Sequence, residues 1–189
     1  MAAYFLTEKY KDAAELNQTL KDRLNSPPRR IDTITKLALV AGEKLKLQCT
    51  ETINIILMSE KLSLSAMDQL ISDIYHEKQQ PMPMTFINSI GNAACFYLAQ
   101  RVDNKSNCQF FALSESYPQL IKAYLSESEN ECFVFGFIFE EQLASSWLVV
   151  NSKSCSQTYG SLTFEHKKHE LSMTAINKTL SGLATALNS

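Results

Sequence analysis

The sequence predicts a single domain of the α/β class, in which helices are layered on a buried, mixed sheet. Short apolar segments rich in β-branched and aromatic residues recur along the chain and are typical of strands buried on both faces. Segments with helical spacing of apolar residues alternate with these runs, and the connections between them are short. The length of 189 residues, with 45% hydrophobic and 20% charged residues, suits one domain with a sizeable core.

The first third of the chain predicts two helices and a strand. Residues 8–24 have apolar positions at helical spacing, so the segment 1–27 is assigned to an N-terminal helix that two prolines end. Asp32 is placed to cap a second helix that continues to about Leu47. Ile53–Ser59 is a continuous apolar run and predicts the first buried strand.

The middle of the chain predicts two further helices and a second strand. Ser65 is placed to cap a helix over residues 65–77. The side chains expected on its buried face are Met67, Leu70, Ile71, Ile74 and Tyr75. A proline-containing loop precedes a helix predicted for Asn88–Gln100, and Cys108–Leu113 predicts a buried strand.

The last third predicts one helix, a group of strands and a closing helix. Ser114 or Ser116 can cap a helix that continues through Leu125, with Pro118 in its first turn. Residues 131–139 form the most strand-like segment of the sequence. The remaining elements are two antiparallel strands at 145–150 and 161–165 and an amphipathic helix that begins at about Ser172.

Composition argues against several classes of function. The net charge of −2 and the lack of a basic stripe with aromatic residues argue against nucleic-acid binding. Apolar runs fall short of the ~20 residues that a membrane span needs. Charged residues come too early for a signal peptide, so a cytoplasmic location is expected. The five glycines form no phosphate-binding pattern, and no cofactor is predicted.

The cysteines and histidines predict neither a disulfide framework nor a metal site. The five cysteines are scattered and make no C-x-x-C pair, which favours reduced thiols used as small apolar residues. His166 and His169 lie three residues apart, but in a highly charged and therefore solvated segment.

Two residues are weak candidates for a nucleophile. Cys95 lies inside a predicted helix between Ala94 and Phe96, where packing explains a small apolar residue better than catalysis does. Ser114 lies where a strand turns into a helix, which is the geometry of a nucleophile elbow. Helix capping explains Ser114 more simply, because the sequence places no histidine beside it.

The order of segments over residues 28–141 resembles the short β-ketoacyl-synthase-like proteins. These correspond to the N-terminal half of a ketosynthase with the thiolase-like fold. The most specific part is "MPMTFINSIGNAA", which is similar to the family pattern of proline, phenylalanine and then Ser-Val-His-Asn-Ala. The residues that match this pattern are Phe86, Ser89, Asn92 and Ala93. Gly91 stands where the family has histidine.

The resemblance implies a scaffold without the ketosynthase nucleophile. The catalytic cysteine of the family follows a strand at a strand-to-helix elbow, and this sequence has Leu113 or Ser114 at that position. Cys95 would then belong to the scaffold. The two histidines of a ketosynthase site belong to a C-terminal half that this sequence does not match. We therefore expect no autonomous condensing activity.

The resemblance also implies partners. Ketosynthases pair through the strand before the elbow, represented here by Cys108, Phe110 and Phe111. Catalytically silent relatives called chain-length factors pair with an active ketosynthase in polyketide, aryl-polyene or fatty-acid-type pathways. We therefore expect a ketosynthase or an acyl carrier protein as partner. Two alternatives stay open: a small acyltransferase or thioesterase-like enzyme that uses Ser114 or Cys95, and a homodimeric structural or binding protein with a degenerate fold.

Overall fold

The fold is built on a mixed, five-stranded sheet with helices on both faces, as expected. The computed structural model describes residues 3–46, 53–60, 64–101, 107–127, 132–151 and 170–188. The strands are β1 (Ala3–Lys9), β2 (Ile53–Ser59), β3 (Cys108–Ala112), β4 (Cys132–Phe139) and β5 (Ala144–Asn151). Their order is β1-β5-β4-β2-β3, and β5 runs antiparallel to both of its neighbours. The strand predicted at 161–165, like the two histidines at 166 and 169, lies outside the described residues.

Seven α-helices accompany the sheet in the described part of the chain. Their bounds are α1 (Ala13–Arg23), α2 (Thr33–Lys46), α3 (Leu64–Ile71), α4 (Pro83–Asn88), α5 (Asn92–Arg101), α6 (Tyr117–Glu127) and α7 (Met173–Leu187). The side chain of Asp32 accepts a hydrogen bond from the backbone N–H of Thr35 at 2.8 Å, which confirms the predicted cap of α2. Ser172 caps α7 in the same way by accepting from the N–H of Ala175.

The prediction of an N-terminal helix over residues 8–24 is wrong at its start. Residues 3–9 form β1, which pairs antiparallel with β5, and α1 begins only at Ala13, where Asp12 caps it. Glu8 and Tyr10 fit a helical pattern by spacing alone. The sheet overrides that pattern because β1 extends the ladder that β5 offers.

The two faces of the sheet carry two separate hydrophobic cores. On one face, α1, α2 and α5 pack against side chains such as Ile55, Val134 and Trp147. On the other face, α6 and α7 pack against the alternate residues, such as Ile56, Phe135 and Leu148. Because both faces of β2 and β4 are buried, the strands lack the polar alternation of a half-exposed sheet. The three-layer α/β/α arrangement is confirmed.

Helix α7 completes the second layer and is fixed to β1. Its buried side chains include Ile176, Leu180 and Leu187, whereas Lys178 and Ser181 on the opposite side are exposed. The amide of Asn188 accepts a hydrogen bond from the N–H of Ala3 at 3.1 Å and donates one to the Ala3 carbonyl at 2.6 Å. Because Lys178 and Ser181 are exposed, the side of α7 that faces away from the sheet is polar.

The helical region between β2 and β3 departs most from the expectation. The helix begins at Leu64, before the predicted cap at Ser65, and its last turn, Ser72–His76, is a π-helix. A separate helix, α4, begins with Pro83 at its first position, inside the predicted loop. The helix predicted from Asn88 begins only at Asn92, after a turn at Ser89–Gly91.

The predicted buried stripe of α3 is also wrong, because three of its five side chains are exposed. Ile71, Ile74 and Tyr75 are 44%, 44% and 72% exposed. In the described part of the chain, helix α3 packs mainly against α4, and its outer face is exposed. The side chains that share this exposure are Ile71, Ile74, Tyr75, Met82, Phe86, Ile87, Ile90 and Phe96, called here the apolar patch.

A buried ionic cluster joins β1 to the first two helices. The Glu8 carboxylate contacts the guanidinium of Arg23 at 2.8 Å, the ammonium of Lys44 and the hydroxyl of Tyr10. Burial by itself would raise the pKa of Glu8, but the hydrogen bonds from Lys44, Tyr10 and Arg23 outweigh burial and lower the pKa below its ordinary value of 4.5. Burial and the adjacent Glu8 carboxylate raise the pKa of Tyr10.

We expect Gly136→Ala to lower the free energy of unfolding by about 1–3 kcal/mol. A Cβ at Gly136 would lie 2.3 Å from the Trp147 ring, and that ring is fully buried between β5 and the helices. Urea denaturation followed by circular dichroism measures the change. The control is Gly182→Ala, because a Cβ at this exposed helical position has no atom within 4 Å. This control should stabilise the protein by up to about 1 kcal/mol, and a neutral Gly136→Ala would contradict the packing described.

We expect Glu8→Gln to lower the free energy of unfolding at pH 7 by about 1–3 kcal/mol, because it removes the buried anion that accepts hydrogen bonds from Arg23 and Lys44, while both cations keep contact with water. Since the pKa of Glu8 is lowered by folding, its contribution is present above about pH 4.5 and is lost as the pH falls through the pKa of the folded state. The difference between the two proteins should therefore shrink towards acid pH. Urea titrations across this range test it, with the exposed Glu77→Gln as the control; a difference that does not depend on pH would refute the ionic role.

Candidate functional site

The chain bends from sheet into helix directly after β3, at the position where the elbow is predicted. Strand β3 ends at Ala112 and α6 begins at Tyr117. The N–H of Leu113 donates to the carbonyl of Ser59 at 2.8 Å, which extends the ladder with β2 by one residue. The Leu113 side chain is 7% exposed and packs in the core under α6 and α7. An apolar, buried side chain therefore occupies one of the two predicted elbow positions.

Ser114, the other elbow position, is exposed, and no base contacts it among the residues that the structure describes. Its hydroxyl hydrogen-bonds to the hydroxyl of Ser116 at 2.8 Å. Its carbonyl accepts from the N–H of Tyr117 in the first turn of α6. A serine acts as a nucleophile when a histidine or another base takes its proton, and the described contacts of Ser114 provide none. The geometry favours a helix-start role for this residue.

Cys95 is buried in α5 and contacts a second thiol. It is 3% exposed and lies in the core formed with α2 and β2. Its thiol hydrogen-bonds with that of Cys108 on β3, and this contact together with burial raises the pKa of Cys108. A thiol whose pKa is raised is a poor nucleophile at neutral pH, so this pair does not provide an activated thiolate.

The four residues of the family motif span the end of α4, the turn after it and the start of α5. Ser89 is buried and its hydroxyl donates to the carbonyl of Phe86 at 2.7 Å, so it closes the end of α4. Ala93 is buried at the start of α5, Asn92 is exposed, and Phe86 is 56% exposed within the apolar patch. The structure gives Ser89 and Ala93 local structural roles and brings no catalytic group to the motif.

The ring of Phe110 explains why position 91 is a glycine. A Cβ at Gly91 would lie 2.3 Å from the Phe110 ring, so the ring occupies the space that any side chain at position 91 would need. The contact ties the turn before α5 to β3, and it gives a physical reason for glycine where the family pattern has histidine. The apolar patch, which includes Ile90, therefore continues to the edge of the sheet.

The outer edge of β3 is open in the described structure. The carbonyl of Asn107 accepts from Ile55, and the N–H of Leu113 donates to Ser59, so the odd-numbered residues bond to β2. The backbone groups of Cys108, Phe110 and Ala112 then point away from the sheet. The strand contains no charged residue, although charged residues commonly protect such edges from pairing.

The opposite edge of the sheet is protected at its two ends. The Asn188 amide occupies the outward backbone groups of Ala3 on β1, and that strand ends with the exposed Lys9. The two edges therefore differ: Asn188 blocks the start of β1, whereas the outward backbone groups of β3 bond to no described residue and lie beside the apolar patch. This second edge and the apolar patch are together called the candidate interface.

Sequence reasoning predicted the edge strand of this interface and missed its apolar side chains. Cys108, Phe110 and Phe111 lie on β3 as expected, but the stripe of α3 was assigned to the core because helical spacing does not say what a helix packs against. The proline-rich segment 81–83 separates α3 from α4, but the sequence carries no local signal for the exposure of α3.

Comparisons with known proteins confirm the fold. No protein-family model and no curated protein matches the sequence. Among solved structures, the chain is similar to a chain of the ketosynthase ApeO in complex with its chain length factor ApeC from Xenorhabdus doucetiae. The TM-score is 0.54 at 12% identity, and the match covers 80% of this chain and 79% of that one, so the two have nearly equal lengths.

A second similar structure is the ishigamide ketosynthase/chain length factor. The TM-score is 0.55 at 16% identity, over 71% of this chain and 48% of that chain, so the match spans about half of its length. The predicted likeness to condensing enzymes of the thiolase-like fold is therefore confirmed at the level of the fold. Separately, no helix in the described ranges is long and apolar enough to cross a membrane.

We expect no acyl transfer to this chain from an acyl-thioester, because within the described ranges no activating base contacts Ser114 or Cys95. Intact-mass spectrometry after incubation with a short acyl-coenzyme A tests this. A covalent adduct that Ser114→Ala or Cys95→Ala abolishes would contradict the expectation and would support the acyltransferase alternative. Acylation that both variants retain would indicate adventitious labelling of another residue.

Proposed function

We propose that this chain is a non-catalytic, ketosynthase-like subunit that pairs with an active ketosynthase in the manner of a chain-length factor. The observation that carries the proposal is the candidate interface, where the open edge of β3 adjoins the apolar patch. Exposed apolar patches of this kind mark surfaces that bind another protein. The solved structures with a similar fold are of ketosynthases with chain length factors, which supports a partner of that class.

The form of the candidate interface supports pairing by strand addition. An extended strand of a partner can hydrogen-bond to the outward backbone groups of Cys108, Phe110 and Ala112, and the joined sheets then continue across both molecules. The side chains of Phe86, Ile90 and Phe96 can bury against the partner beside that strand. Backbone pairing fixes the register of the complex, and apolar burial contributes most of the affinity.

The elbow supports a role without chemistry. Decarboxylative condensation needs a thiolate to hold the acyl chain and donors that stabilise the enolate. Leu113 places an apolar side chain in the core at this bend, and the Ser114 hydroxyl bonds to the hydroxyl of Ser116. The contribution of the chain is therefore to stabilise and shape the partner, in a pathway of the polyketide, aryl-polyene or fatty-acid type. An acyl carrier protein is a further proposed partner, reached through the complex.

We expect this chain to form a one-to-one complex with a full-length ketosynthase of its source organism. Each such ketosynthase is co-expressed with the tagged chain, and the mass of the complex is measured by size-exclusion chromatography with light scattering. Ala112→Pro should weaken the complex by at least tenfold, because it removes an outward N–H of β3 without removing a bond to β2. Ala112→Ser is the matched control and should bind normally.

The apolar patch is tested separately. Phe86→Lys, at a side chain that is 56% exposed, should weaken binding without loss of stability. Ser181→Lys places the same charge on the outer side of α7 and should change nothing. A chain that associates with none of the ketosynthases would contradict the proposal. A homodimer that Ala112→Pro dissociates would instead support the alternative of a homodimeric structural protein.

A further inference from the structure

Two consecutive arginines at the surface carry no ion pair within the described part of the chain. Arg23 and Arg101 each contact a carboxylate, at 2.8 and 2.5 Å. Arg29 and Arg30, in the segment that leads into α2, are exposed, and no carboxylate of a described residue contacts either guanidinium. The nearest carboxylate along the sequence, that of Asp32, caps α2. Two positive charges are therefore available to a partner at this place.

The backbone of Arg30 adopts a conformation that is unfavourable for an arginine. Its φ is 59°, in the left-handed region, where a side chain crowds the following carbonyl oxygen. Lys78 and Leu143, the other left-handed residues of the described chain, stand at the ends of helical turns, where this conformation is common. Arg30 follows no helix, because α1 ends at Arg23. Helix termination therefore does not explain its conformation.

Asn88 holds the Arg30 backbone in place. The Asn88 amide donates to the Arg30 carbonyl at 2.5 Å, and Asn88 is only 7% exposed at the end of α4. The Arg30 guanidinium lies 3.9 Å from the sulfur of Met82, a member of the apolar patch, and a thioether is a weak acceptor. No strong side-chain contact within the described chain offsets the strain at Arg30. Such strain is retained where it positions a side chain for a ligand.

We propose that Arg29 and Arg30 form an anion-binding rim of the candidate interface, and that this rim takes the carboxylates of an acidic, amphipathic segment of the protein partner. The inference rests on the proposed function, because it describes the partner of the same surface. Met82 joins the rim to the apolar patch, so the complementary surface carries acidic residues beside apolar ones. Arginine suits this role because its guanidinium binds a carboxylate through two parallel N–H groups.

The surroundings of the rim favour a protein over other anions. A nucleic acid offers no apolar side chains that could bury the patch beside the two arginines. An anionic membrane is bound by clusters of about four to eight basic residues, and the rim has only a pair. A protein segment with both kinds of side chain matches both parts of the surface.

The test measures the binding of two labelled, amphipathic helical peptides to the isolated, full chain by fluorescence anisotropy. The peptides share their length and apolar residues, and one has glutamates on its polar face where the other has lysines. The net charge of the chain, −2, favours the lysine peptide through long-range attraction, so a preference for the glutamate peptide has to be local. We expect the glutamate peptide to bind about tenfold more tightly at low salt and this preference to shrink at about 1 M sodium chloride.

Charge variants assign the preference to the rim. Arg29→Gln and Arg30→Gln should each lower the affinity for the glutamate peptide about two- to fivefold, the range of an exposed ion pair. Lys178→Gln removes a charge from the outer side of α7 and, as the matched control, should change nothing. Equal binding of the two peptides, or a preference that the double variant of both arginines keeps, overturns the inference. Arginine-dependent sedimentation with vesicles that contain phosphatidylglycerol, without binding of the glutamate peptide, also overturns it and assigns the rim to lipid.

Arg30→Gly separates a binding role from a structural one. Glycine adopts the left-handed conformation without strain, so this variant should melt about 1–3 °C higher than the wild type and bind the glutamate peptide as weakly as Arg30→Gln. A lower melting temperature would show that Arg30 stabilises the fold and would contradict the argument from strain.

The peptide test needs no ketosynthase, so the two proposals fail separately. If a ketosynthase complex forms while the two peptides bind equally, this inference is wrong and the proposed function stands. If the glutamate peptide binds through the arginines and no ketosynthase associates, the rim stands and the proposed function is wrong.

Discussion

The burial of the central strands on both faces is the constraint on which the rest of the structure depends. β2, β4 and most of β5 are apolar on each side, so the sheet must be covered twice. Helices α1, α2 and α5 cover one face, and α6 needs α7 beside it to cover the other. Helix α7 is therefore part of the core. Because α7 is polar on its outer side, the second face is closed against water without a further layer.

In the described structure, the helical layers cover both faces of the sheet and leave the edge at β3 uncovered. Asn188 occupies the outward backbone groups at the start of β1, whereas β3 combines outward backbone groups, no charge and a neighbouring row of exposed apolar side chains. Such an edge is an aggregation hazard unless a partner covers it. The same physical feature therefore explains both why the chain suits pairing and why its sheet ends where it does.

The sequence predicted the elements that the sheet itself specifies. β2 was predicted to the residue, and the cap at Asp32 and the closing helix from Ser172 were correct, because buried strands and polar caps have local signals. The failures are non-local. Whether residues 3–9 pair with β5, and whether Ile71, Ile74 and Tyr75 face a core, depend on elements distant in the sequence. The sequence itself shows that no cysteine stands at the elbow, whereas the contact between Cys95 and Cys108 depends on how α5 packs against β3.

The hydrogen bonds between Asn188 and Ala3 have a practical consequence. It brings the first and last described residues together at one margin of the fold, and β3 forms the other margin. Four strand spacings separate them, or about 19 Å at ~4.8 Å per strand. An affinity tag or fluorescent protein fused at either terminus would therefore sit clear of β3, so both ends of the polypeptide are suitable attachment points for labels.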